Sequence, residues 1–92
     1  MTYRTKVKTI EAYHFLGNPE EDPKIPYWLK NRIESREIVY SNDGSGILWI
    51  YPHRNVIALQ QAHIGDYVTY DSQKDEVWVE WKYEFESRYE PA

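Results

Sequence analysis

Ninety-two residues with 41% hydrophobic, 28% charged and 16% aromatic content make one small domain, residues 1–92, and exclude a large multi-domain enzyme. No cysteine is present, which removes disulfides, thiol nucleophiles, cysteine-based zinc sites and redox switching together. A net charge of -4 disfavours sequence-independent binding to a nucleic-acid backbone, and no run approaches the ~20 apolar residues of a membrane span.

Residues 5–16 place Val7, Thr9, Glu11, Tyr13 and Phe15 on one face and Lys6, Lys8, Ile10, Ala12 and His14 on the other, the period of a long strand. Gly17, Pro19 and Pro23, with Glu20, Glu21 and Asp22 between the prolines, then require an exposed loop. A helix is predicted over 26–35, where Pro26 suits the first turn and Trp28, Leu29, Arg32 and Ile33 share a face. Residues 36–40 read as a short strand, 41–46 as an Asn, Asp and Gly hairpin loop, and 47–51 as a central strand apolar on both faces. Residues 55–60 read as another strand and 62–66 as a turn. Strands beginning at Tyr67 and spanning 76–81 flank a loop at 71–75, with Val77, Val79 and Trp81 inward. Phe85 and Tyr89, four apart, suit a short terminal helical turn. The sum is an α+β domain: a curved antiparallel sheet or partly open barrel of about five to six strands, with one helix after the first strand.

Chemistry-bearing motifs are sparse. His14, His53 and His63 make no HxH or HExxH spacing, so no metal or other cofactor is expected, and no catalytic residue stands out. Asp66 follows Gly65 at the mouth of a strand, where a carboxylate commonly accepts backbone N–H bonds. Gly44-Ser45-Gly46 lacks the Lys-Ser/Thr and the helix of a phosphate-binding loop and reads as a hairpin tip.

The aromatic set is the stronger signal. Side chains of this kind bury roughly 150–250 Å² each, so fifteen of them stabilise a core without staples and leave some for the surface. Trp78, Trp81, Tyr67, Tyr70 and Tyr83 are the interface candidates, because Tyr and Trp anchor protein contacts. They fall where the acid is. Residues 66–92 carry three Lys/Arg against eight Asp/Glu, whereas 1–65 carry eight against seven. A basic protein partner therefore suits the acidic end, and self-association through an edge strand is a second expectation. Arg4, Lys6, Lys8, Arg36 and Arg54 are the candidates for holding a ligand phosphate.

Val7-Lys8-Thr9-Ile10-Glu11-Ala12-Tyr13-His14-Phe15 resembles the opening strand, of VxIEAxxF type, of a family of small bacteriophage and prophage proteins. Gly65-Asp66-Tyr67-Val68 and Phe85-Glu86-Ser87-Arg88-Tyr89-Glu90 are similar to that family's Gly-Asp-aromatic segment and its ending, and Asp22-Pro23-Lys24-Ile25-Pro26-Tyr27-Trp28-Leu29 to its entry into the helix. The chain departs from the pattern at Gln73-Lys74-Asp75 and Trp81-Lys82-Tyr83-Glu84, where relatives carry a Gly-containing turn and a Cys-Lys-Pro stretch. The resemblance implies a phage context, the cytoplasm of an infected bacterium, and no established enzymatic activity. The function expected is that of a non-enzymatic accessory protein that binds and modulates a host protein. The alternative is a small-ligand binder such as a sponge for a nucleotide signal.

Overall fold

The computed structural model describes residues 2–4, 9–41, 43–52 and 58–91. Strands β1 (Thr2–Arg4) and β2 (Thr9–His14) form an antiparallel pair in which Tyr3 lies opposite Ile10. Of the strand expected over residues 5–16, residues 9–14 form β2, residues 15 and 16 lie beyond its end and 5–8 lie outside the described residues; β1 precedes it. Strand β6 (Tyr67–Asp71) pairs with the other side of β2, β7 (Glu76–Glu80) with β6, and the two-residue β8 (Glu90–Pro91) with β1. The result is a five-stranded sheet of order β7-β6-β2-β1-β8.

A second sheet contains β3 (Ile38–Tyr40), β4 (Leu48–Ile50) and β5 (Gln60–Ala62) in that order. Among the described residues, eight strands in two antiparallel sheets, with two α-helices and a 3-10 turn at Pro19–Glu21, thus replace the expected single sheet of five to six strands and one helix, and the first α-helix follows the second strand. The sheets do not close into a barrel. Strand β5 lies beside β7 without a backbone ladder, and the Val79 N–H donates instead to Gln60 Oε1 at 2.8 Å. Of the strand expected over 55–60, residues 55–57 lie outside the described residues, and β5 begins at Gln60, running into the expected turn. Its Gln60-Gln61-Ala62 sequence has weak strand character, and pairing with β4 decides its conformation.

Helix α1 (Tyr27–Glu34) starts after Pro26 and buries Trp28, Leu29 and Arg32, the face its spacing predicts. It ends in a Schellman turn: the Arg36 N–H donates to the Ile33 carbonyl and the Glu37 N–H to the Arg32 carbonyl. The turn needs a left-handed residue, and Arg36 takes φ +68° where glycine is usual, at a local cost of about 1 kcal/mol. Helix α2 (Lys82–Arg88) is the expected terminal turn, extended. Strand β7 stops at Glu80 and Trp81 becomes the residue before α2, with φ -66° and ψ 146°. Trp81 is therefore exposed, not inward as alternation predicted, because the chain has left the sheet. No helix among the described residues is long and apolar enough to cross a membrane.

The five-stranded sheet is covered on both faces. On one face Val68 and Val77 pack with Phe15, Trp28, Leu29, Ile38, Leu48, Ile50 and Ala62, joining α1 and the small sheet to it. On the other, Ile10, Ala12 and Tyr67 pack with Phe85 of α2. A buried arginine ties α1 to the β6–β7 hairpin: Arg32, 3% exposed, places Nη2 2.7 Å from Asp75 Oδ1 and donates from Nη1 to the Trp28 carbonyl. The Tyr70 hydroxyl donates to the same Asp75 oxygen, and its ring stacks on Trp28 at 5.0 Å.

Burial raises the pKa of Tyr13, Tyr70 and Tyr89 above the ordinary 10.0, helped by hydrogen bonds and charge from Asp22, Asp75 and Glu80 respectively. Phenols that hold their protons more tightly when folded stabilise the fold fully below pH 10 and lose that contribution as pH rises through their folded values. Melting temperature is therefore expected to fall between pH 10 and the alkaline limit of a melting series. A flat profile there would contradict the buried setting of these hydroxyls.

Candidate functional site: an exposed aromatic rim

The antiparallel pairing brings the end of β2, the start of β6 and the end of β7 to one end of the large sheet: His14 is opposite Tyr67, and Tyr67 opposite Glu80. Chain continuity then places three exits there. Leu16 follows β2, Ile64 precedes β6, and Trp81 with Tyr83 follows β7. These side chains are 65%, 53%, 66% and 80% exposed. The remaining exposed aromatics include Tyr27 on α1.

Local geometry fixes this rim. The Phe15 N–H donates to the Asp66 carbonyl at 2.9 Å and the Gly65 N–H to the Phe15 carbonyl at 2.8 Å, which joins the first two exits. Gly65 takes φ +101°, a conformation that side-chain-bearing residues avoid, so the turn before β6 depends on glycine. Asp66 accepts the His63 N–H on Oδ2 at 3.0 Å and the Lys82 N–H on Oδ1 at 3.4 Å, joining that turn to the first residue of α2 beside Trp81. Ile64 lies against the hairpin loop: a Cβ on Gly46 would sit 3.5 Å from its Cγ1. The Lys82 ammonium lies 5.5 Å from the centre of the Tyr83 ring, and the acids Glu84 and Glu86 are exposed on the same helix. Such a surface can dock an apolar patch edged with basic residues.

The other sequence candidates lie elsewhere. Tyr67 is buried between His14 and Phe85, at 4.3 Å and 4.0 Å between ring centres, and its hydroxyl donates to Glu86 Oε2. Tyr70 is half-buried against Trp28. Trp78 is half-buried and donates from Nε1 to Glu80 Oε2, whose other oxygen meets Arg88 at 2.8 Å. Arg36 is exposed and lines a depression of about 310 Å³ together with Glu20 and Glu34, which oppose an anion. Lys6, Lys8 and Arg54 lie outside the described residues, and Arg4 is described only in its backbone pairing.

The two described histidines both meet the turn before β6, where His63 Nδ1 lies 3.8 Å from Asp66 Oδ2. His14 sets Nε2 3.1 Å from the Gly65 carbonyl, His63 is exposed, and His53 lies outside the described residues. Among the described residues no three His, Asp or Glu side chains converge as a metal site would require. Trp81 and Tyr83 are expected from the sequence as interface residues, whereas Leu16 and Ile64 are not. Both precede a glycine, Gly17 and Gly65, at the point where a strand gives way to a turn, and an apolar residue there falls outside the alternation that buries its neighbours. No family model, no curated protein and no solved structure matches this chain.

Proposed function

We propose that the chain is a non-enzymatic bacteriophage accessory protein that binds and modulates a host protein in the cytoplasm of the infected cell. The observation that carries the binding reading is the rim: Trp81 and Tyr83 present most of their surface to solvent at the sheet end that also exposes Leu16 and Ile64. Exposed Trp and Tyr are the side chains that dominate the energetics of protein contacts. The exposed acids of α2 suit a partner whose contact surface is basic at its edge. The phage context rests on the resemblance of residues 7–15 and 85–90. A small-ligand reading has less behind it, because Arg36 shares its depression with Glu20 and Glu34.

Affinity capture from bacterial lysate tests the reading. The native chain is expected to retain a saturable partner that Trp81→Ala/Tyr83→Ala loses while keeping an unchanged melting temperature. No saturable partner, or equal capture by the double variant, overturns it.

A further inference from the structure

Every sheet has two edges, and an edge without protection is a template for another strand. Among the described residues, three of the four edges are managed. Strands β5 and β7 face each other, with the Val79 N–H taken by Gln60. Strand β8 has two residues, one of them Pro91, which has no N–H to offer. Strand β3 is short but reads Ile38-Val39-Tyr40, with neither charge nor proline within it.

Its hydrogen-bonding parity is fixed. The Ser41 N–H donates to the Ile47 carbonyl and the Tyr51 N–H to the Glu37 carbonyl, so Glu37, Val39 and Ser41 point their backbone groups at β4. The backbone groups of Ile38 and Tyr40 point the other way, and no backbone bond from them on that side occurs among the described residues. Beside that open edge lies the depression of about 310 Å³, walled by Ile33, Glu34 and Glu20.

The geometry points to a second copy of this chain as the occupant: β3 pairs antiparallel with its own counterpart about a two-fold axis at Val39, making one six-stranded sheet from two small ones. Ile38 of each copy then exchanges backbone bonds with Tyr40 of the other, about four in all. Val39 faces its own equivalent in the close, non-hydrogen-bonded position, where β-branched pairs are favourable. On that face Val39 is already beside Trp49 and both are half-buried, so the Trp49-Val39 row runs on into its mirror row.

Charge agrees with this axis. The antiparallel arrangement brings Arg36, just before β3, toward the end of the other β3 that leads to Asp43. Asp43 is exposed there, its carboxylate accepting hydrogen bonds from the Ser41 hydroxyl and the Ser45 N–H. It also gives Arg36 a use at a position where glycine would cost less. The pairing does not use the rim, so its failure and that of the rim reading are separable.

The chain has no cysteine, which makes cross-linking clean. A non-hydrogen-bonded antiparallel pair sets its Cα atoms about 4.5 Å apart, within disulfide range. Val39→Cys is expected to become a covalent dimer under mild oxidation at a concentration where Ser72→Cys, on the exposed β6–β7 loop, stays monomeric. Sedimentation equilibrium of the native chain up to about 0.5 mM, where so small an interface associates, is expected to show a dimer. Val39→Lys and Val39→Glu, with native melting temperatures, are each expected to be monomeric alone and to associate when mixed, because residue 39 opposes itself. A native chain that stays monomeric, Val39→Cys that cross-links no faster than Ser72→Cys, or charge variants that fail to complement overturns the proposal. Trp81→Ala/Tyr83→Ala should leave the cross-linking unchanged.

Discussion

Asp75→Asn is expected to lower the free energy of unfolding by about 2–3 kcal/mol, a large part of the 5–14 kcal/mol available to a chain of this length. The substitution keeps the shape of the side chain and tolerates the φ of +52° at this position, so the loss isolates the charge. Its source is Arg32, which is 3% exposed and has Asp75 as its carboxylate partner at 2.7 Å. Without that charge the guanidinium remains under α1 with a neutral amide oxygen, the Trp28 carbonyl and the Tyr70 ring, 5.2 Å from its carbon, none of which carries a compensating charge. Arg32→Met is expected to cost less, under about 1.5 kcal/mol, because it removes the buried charge with its unpaired Nε, and Asp75 at 38% exposure regains water. Urea unfolding of the two variants reads the difference. Equal losses, or the reverse order, would mean that the ion pair does not control this joint.

Phe85→Ala is expected to cost about 3–5 kcal/mol, the range for deleting a buried aromatic ring. Phe85 is fully buried at the centre of a stack running from His14 through Tyr67 to Tyr89, with ring centres 4.0 Å and 4.8 Å away on its two sides. Helix α2 has seven residues, too few to persist in water unaided, so its conformation depends on this contact and on the Arg88–Glu80 pair. Loss of amide protection across 82–88, with protection kept in β2 and β6, is the expected hydrogen-exchange signature. Uniform loss across the sheet would instead make α2 and the sheet one cooperative unit.

Elements whose character is local were legible in the sequence. The spacing of Trp28, Leu29, Arg32 and Ile33 located α1 and its buried face, and the four-residue step from Phe85 to Tyr89 located α2. The β6–β7 hairpin followed from alternation around its polar loop. Elements decided by distant pairing were not. Nothing in Gln60-Gln61-Ala62 announces a strand, and β1 exists because it pairs with β2 and β8. The rim was half legible for the same reason: Trp81 and Tyr83 can be named from composition, but the convergence of Leu16 and Ile64 on the same sheet end depends on the β2–β6–β7 register.

The Gln60 amide that occupies the Val79 N–H sets a limit on growth. A strand edge with a free counterpart at the far side of the same molecule allows chain upon chain to add, as in a fibre. Here a side chain closes one end of that path, so the proposed two-fold contact at β3 would use the edge left unprotected among the described residues and would end at a pair.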